Sequence, residues 1–387
     1  MSSEAPSPEA STAKLAWKRP ALMFGLTVLS LVYTGATQSP SANEAVGVVG
    51  LLRSRAAMSD GLAYAASLAA ILLAHEFGHY IAARIHGVPS SLPFFIPVPA
   101  PLSPFGTFGA VIGMRGRFPS RNALLDIGAS GPLAGLAVAI PLYAWGVRHS
   151  TVVPLEPGMT SLGNSLALRA LDGLFAPRVP PGMDILLSPV AFAAWAGMFV
   201  TFVNLLPLGQ LDGGHVAYAL FGVRQNTYAK FVHRALLLFF FASLAFNTLS
   251  DIRAGFGLHR VGTSIAHSLF FLSWFLLLPV LGLATKPPAE RAKDLGIRTR
   301  LVVLVALLLT AGVGQSKGTH MFWGAWLAAV FVLLAMERRK GTLREHTLFD
   351  HPPVVFSSYP LSLPRRVVAV LTLATYVLLF MPTPMAV

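Results

Sequence analysis

The sequence predicts an all-α polytopic membrane protein of about nine transmembrane helices, with a re-entrant or β-hairpin-like segment beside its chemistry. Three observations carry that prediction. Of 387 residues, 54% are hydrophobic and 12% charged, where an ordinary soluble domain has about 25% charged. Apolar runs long enough to cross roughly 30 Å of hydrocarbon, about 20 helical residues each, recur along the chain. Two stretches inside this pattern are broken by Pro and Gly. The chain has no Cys, which excludes disulfides, Cys-ligated metal clusters and a thiol nucleophile, so any metal falls to His, Asp or Glu. A formal charge of +13 suits anionic headgroups and membrane-side loops, and no nucleic-acid partner is expected.

Residues 1–19, rich in Ser, Ala, Pro and Glu, cannot bury a core and are expected to form a disordered cytoplasmic tail. The apolar run 20–37 follows Lys14, Lys18 and Arg19 and reads as an uncleaved spanning helix rather than a signal peptide, with an external loop to residue 60. Further spans are expected at 61–86, 124–146 and 185–207, within a membrane core at 61–230. Additional C-terminal helices, in 231–387, are expected at 231–249, 264–285, 299–315, 320–336 and 366–382. With a cytoplasmic N-terminus, the loops on that side carry 21 of the 29 Lys and Arg and the opposite loops 8. That bias supports the orientation through the positive-inside rule, and the expected location is a bacterial cytoplasmic membrane.

The first broken stretch, Leu92 to Phe118, carries five prolines up to Pro104 and then Gly106, Gly109 and Gly113 among β-formers. It suits an extended loop or hairpin. Its part at 105–115 either adds a strand to an unwound peptide or covers the neighbouring chemistry. The second, NLLPLGQLDGGH at 204–215, should interrupt a helix at membrane depth, where irregular backbone survives only in protein or beside a wet cavity. The longest loop, 147–184, is too short for a soluble module.

His75, Glu76 and His79 form H-E-x-x-H within the apolar run ILLAHEFGHYIAARIHG. Four residues apart on a helix, both imidazoles lie on one face and reach one metal, while Glu76 flanks the position where water would bind. Ionisable groups inside a span are costly and mark function. A catalytic zinc takes a third protein ligand. Of the remaining acids, Asp212 alone lies in an apolar, helix-breaking segment, so it is the candidate, against an N-cap or Asx-turn role. Two neutral imidazoles and a carboxylate leave Zn²⁺ with one positive charge, which Glu76 balances while serving as the base that activates water. His215 is either a supporting or substrate contact or a capped, solvated side chain. Asn204 either donates to an oxyanion or substrate backbone or satisfies carbonyls freed by the broken helix. His86, near Arg84, is expected to face headgroups. Gly128, Gly131, Ala134 and Gly135 have small-xxx-small spacing and read as helix packing.

HEFGHYIAARIHG at 75–87, GASGPLAG at 128–135 and NLLPLGQLDGGH at 204–215, in this order on separate membrane segments, resemble the site-2 protease family of intramembrane zinc metalloproteases. The stretch FGTFGAVIGMRGRFPSRNALLDIGASGPLAG looks like the branch found in cyanobacteria and plastids. The resemblance covers about residues 61–220 and lacks the family's PDZ module. It implies one zinc ion held by His75, His79 and Asp212, Glu76 as catalytic base, and an active site towards the cytoplasmic side. It also implies a single-pass membrane protein as substrate, partly unwound before cleavage, with Asn204 and Pro207 helping to position it. The contrasting expectation is a membrane transporter or metal carrier using a broken-helix histidine site. A zincin with a Glu ligand on a later helix would need an intramembrane Glu downstream, and none is evident.

Overall fold

The computed structural model describes residues 17–40, 42, 47–100, 103–114, 118–155, 161–255, single positions at 268, 271–272, 274–275, 351 and 354, and residues 360–381 and 385–386. The order is α1 (Lys18–Thr37), α2 (Gly47–Arg53), α3 (Arg55–Ile85), β1 (Phe94–Pro97), β2 (Thr107–Val111), α4 (Arg121–Arg148), β3 (Thr151–Pro154), β4 (Ser161–Leu162), α5 (Leu166–Phe175), β5 (Met183–Leu186), α6 (Pro189–Asn204), α7 (Asp212–Phe221), α8 (Arg224–Arg253), α9 (Leu363–Leu379) and β6 (Met385–Ala386). The described part is mostly helical, and α1, α3, α4 and α8 are long and apolar enough to cross a membrane. They coincide with the spans expected at 20–37, 61–86, 124–146 and 231–249. The span expected at 366–382 corresponds to α9, of 17 residues. The spans expected at 299–315 and 320–336, and nearly all of 264–285, lie outside the described residues, as does the tail at 1–16.

One expectation changes. The run 185–207 is not helical throughout: α6 has 16 residues, about 24 Å of helix and less than a bilayer's hydrocarbon. Its apolar beginning is spent on β5, which pairs antiparallel with β3, Val152 opposite Ile185 and Val153 opposite Asp184. Apolar residues such as Ile185 and Leu186 fit a short strand as well as a helix start, so hydropathy alone could not divide them.

The described chain packs as two compact units. The first comprises Met1–Pro154, Ala170–Val203 and Val354–Phe356; the second comprises Leu155–Arg169, Asn204–Pro353 and Ser357–Val387. In the first unit, α3 is the central element, packed against α1 on one side and α4 on another. Small residues permit the close approach: Gly61 lies against the Val32 carbonyl of α1, and Gly78 against Ser130 and Gly131 of α4. Tyr64, Leu68 and Ile71 of α3, Leu124, Leu125 and Ile127 of α4, and Trp195 and Met198 of α6 are fully buried. Tyr64, Phe192, Trp195 and Phe199 stack in series at ring separations of 5.5, 6.0 and 5.7 Å.

The broken stretch 92–118 forms the hairpin of β1 and β2, with Phe94 opposite Val111 and Phe95 opposite Ala110. It is fastened to the helices through its backbone. Ser30 of α1 donates to the Gly106 carbonyl at 2.6 Å, Tyr64 of α3 to the Phe105 carbonyl at 2.9 Å, and Gln38 to the Pro104 carbonyl at 2.7 Å. Thr34 accepts from the Ala100 amide at 3.1 Å. Backbone groups that a proline-rich loop leaves unpaired are thereby satisfied by helix side chains.

In the second unit, α7 packs between α8 and α9, and β4 pairs with β6. Phe231, Leu238, Phe246 and Leu249 of α8 and Val367, Val370 and Leu371 of α9 are exposed. Such faces are unstable in water and suit acyl chains.

Candidate active site

His75, Glu76 and His79 lie in the last third of α3 and are all buried. The helix starts where Ser54 accepts from the Ala57 amide, and ends in a Schellman turn. There the Gly87 amide donates to Arg84 and the Val88 amide to Ala83, with Gly87 at φ 66°. Val88 packs with Ala82, Ala83 and Ile127 beneath the turn, closing its apolar side. The motif is therefore held on a rigid, well-ended helix, two to three turns before its terminus.

His79 Nδ1 is 2.7 Å from the Ile127 carbonyl of α4. A carbonyl only accepts, so Nδ1 carries the proton and the neutral ring has its lone pair at Nε2. That Nε2 is 3.2 Å from Nε2 of His75. Two imidazole nitrogens bound at 2.0–2.1 Å to one tetrahedral metal stand about 3.3 Å apart, so this half of the site fits a zinc ion. A histidine ligand whose other nitrogen donates to a backbone carbonyl is also the arrangement that fixes the ring and raises its basicity.

Small residues of α4 make room for the two rings. A Cβ on Gly131 would collide with the His79 imidazole, and one on Gly135 would press on His75 at 3.2 Å. The stripe in GASGPLAG is thus a cradle for the histidines as well as a packing surface. Only the latter was legible from its spacing. His86 does not face the headgroups alone: its Nε2 meets Asp126 of α4 at 2.9 Å, both half-buried.

In the second unit the helix break at 204–215 is real. α6 stops at Asn204, residues 205–211 turn, and Asp212 opens α7. Gln225 donates to the Pro207 carbonyl at 2.6 Å, and the Leu208 and Leu211 amides donate within the turn. Gly213 and Gly214 press onto the carbonyls of Leu205, Leu206, Leu208 and Gly209, where a Cβ could not fit. Leu211 is the N-cap and gives no side-chain cap. Asp212 is therefore the first helical residue and half-buried, not the N-cap, and its carboxylate is well placed in the helix dipole. His215 is buried rather than solvated, and its Nδ1 lies 2.7 Å from Nε2 of His351. His351 carried no signal in the sequence, because nothing about its spacing ties residue 351 to residue 215. The structure thus brings His75, Glu76 and His79 together in one unit, and Pro207, Asp212 and His215 onto one turn and helix in the other, with Asn204 at the end of α6.

Residues 63–246 match the model of peptidase family M50. Among similar proteins is the probable zinc metalloprotease EGY2, chloroplastic, of Arabidopsis thaliana, 31% identical over 177 residues, 44% of this chain and 30% of the relative. The probable zinc metalloprotease EGY1, chloroplastic, of Oryza sativa subsp. japonica is 33% identical over 174 residues, covering 43% and 29%. The protein of the same description from Arabidopsis thaliana is 35% identical over 161 residues, covering 39% and 28%. The match thus spans about 30% of these relatives' lengths. No solved structure matches.

Proposed function

We propose, from the match of residues 63–246 to the model of peptidase family M50, that this chain is a zinc-dependent intramembrane endopeptidase that hydrolyses peptide bonds within or near transmembrane segments of membrane proteins. One observation carries the reading. Two buried histidines on a membrane helix face each other across 3.2 Å, with the Nδ1 proton of His79 committed to a carbonyl and a buried glutamate one residue along. A transporter has no need of that glutamate.

In this reading His75, His79 and Asp212 are the ligands of one metal ion. A zinc ion held there supplies Lewis acidity to the scissile carbonyl and acidifies water. Glu76 takes the proton of the attacking water on its carboxylate and passes it to the nitrogen of the leaving amine. His79 stays oriented through its bond to Ile127. Asn204 donates to the substrate backbone or the developing oxyanion, and Pro207 shapes the turn that presents Asp212.

The motif lies about 9–15 Å from the C-terminal end of α3, counting 1.5 Å per residue. With the N-terminus cytoplasmic, that end is the cytoplasmic one, in a bacterial cytoplasmic membrane or its plastid counterpart. The substrate is a single-pass membrane protein. Once unwound, it pairs with the open edge of the two-stranded β1–β2 sheet. The remaining C-terminal spans complete about nine crossings. The test is cleavage of a single-pass substrate by the purified protein in detergent. The reading requires that a zinc chelator abolish cutting and that added zinc restore it. Cutting that persists after the metal is stripped overturns it.

A further inference from the structure

Among the described residues, His351 of the C-terminal region packs its side chain on the helix that begins with Asp212. His351 is buried, its Nε2 lies 2.7 Å from Nδ1 of His215, and its ring stacks on Tyr218 at 4.3 Å between centroids. Its backbone amide donates to the Asn226 side chain of α8 at 3.0 Å. Tyr218 follows His215 by three residues, so both contacts fall on one face of α7. Asp212 precedes His215 by three and shares that side of the helix.

This helix needs an external peg. It has ten residues, its N-cap contributes no side chain, and its second and third positions are glycine. Glycine pays the largest backbone entropy in a helix, so the turn carrying Asp212 is intrinsically the weakest. Gly213 and Gly214 cannot be replaced by better helix formers, because a Cβ at either would run into the carbonyls of Leu205, Leu206, Leu208 and Gly209. The stiffening must come from beyond that turn. The bond to His351 and the stack on Tyr218 supply it one turn further on.

We propose that His351 is a positioning residue for Asp212, holding α7 in register through His215 and Tyr218 and so raising zinc affinity; this rests on Asp212 being a ligand. The imidazole pair contains one shared proton, given by one ring and accepted by the other, so each ring fixes the other's tautomer. The C-terminal region thereby bears on a metal site whose motifs all end by residue 215.

The experiment measures zinc affinity of the full chain in detergent by competition with a chromophoric chelator, alongside thermal unfolding of the metal-free protein. The variants are His351→Phe, which keeps the stack and loses the hydrogen bond, His351→Gln, which keeps an amide donor and acceptor, and Asp212→Ala. The expected result is a loss of about tenfold or more in zinc affinity for His351→Phe, recovery to within about threefold for His351→Gln, and an unfolding temperature close to native for both. Native zinc affinity in His351→Phe overturns the proposal. So does a fall in unfolding temperature that tracks the loss of zinc in both variants, since that marks a scaffold role. Zinc retained by Asp212→Ala overturns instead the ligand assignment on which the proposal rests.

Discussion

Gly131 of α4 lies so close to the imidazole of His79 that a Cβ at position 131 would occupy the ring's own space. The same ring donates to the Ile127 carbonyl, one turn earlier on α4. One helix therefore both grips and confines the histidine, and the ring has a single orientation open to it. Gly131→Ala is expected to force the His79 ring aside and lower zinc affinity by about tenfold or more. Gly25→Ala, where nothing lies within 4 Å, is the matched control and should leave zinc binding unchanged. Competition with a chelator reads both, and equal affinity for the two variants would show that the cradle does not hold the ring.

The hairpin makes a second prediction. Ser30 and Tyr64 each satisfy a carbonyl at its tip, and a hydrogen bond of this kind is worth about 1 kcal/mol, with a further penalty for a buried acceptor left unpaired. Ser30→Ala combined with Tyr64→Phe should speed amide hydrogen exchange across β1 and β2 while leaving that of α3 near His75 unchanged. If the hairpin orders substrate, KM rises and kcat changes little. Unchanged exchange in the double variant would mean that packing alone fixes the hairpin.

His86 and Asp126 join α3 to α4 at 2.9 Å, with side chains 22% and 29% exposed. Partly solvated pairs of this kind contribute about 0.2–1 kcal/mol. His86→Ala is therefore expected to lower the unfolding temperature by a few degrees at most, with zinc content and cleavage kept. Loss of zinc in this variant would show that the end of α3 is far more tightly coupled to the site than its exposure indicates.

Much of this was legible in the sequence for a physical reason. A membrane span must bury or expose one kind of surface over some 20 residues, so α1, α3, α4 and α8 declared themselves by hydropathy. The histidines and Glu76 stood out because ionisable groups are costly among such residues. The hairpin was announced by its prolines and glycines. The failures share a different cause. β5 was absorbed into a span because Ile185, Leu186 and Leu187 are apolar in either role. Gly131 was visible as a small residue, but that its neighbour is a catalytic-motif ring follows only from how α3 and α4 pack. His351 and the pairing of His86 with Asp126 depend on contacts 136 and 40 residues apart in sequence, which local patterning cannot encode.

The central claim is that His75, His79 and Asp212 hold zinc while Glu76 moves the proton. It is tested most directly by measuring zinc content and cleavage together in the native protein, Glu76→Gln and Asp212→Ala. The account predicts about one zinc and cutting in the native protein. Glu76→Gln should keep its zinc with cleavage down at least about a hundredfold, and Asp212→Ala should lose both. Native rates of cleavage by Glu76→Gln would contradict it.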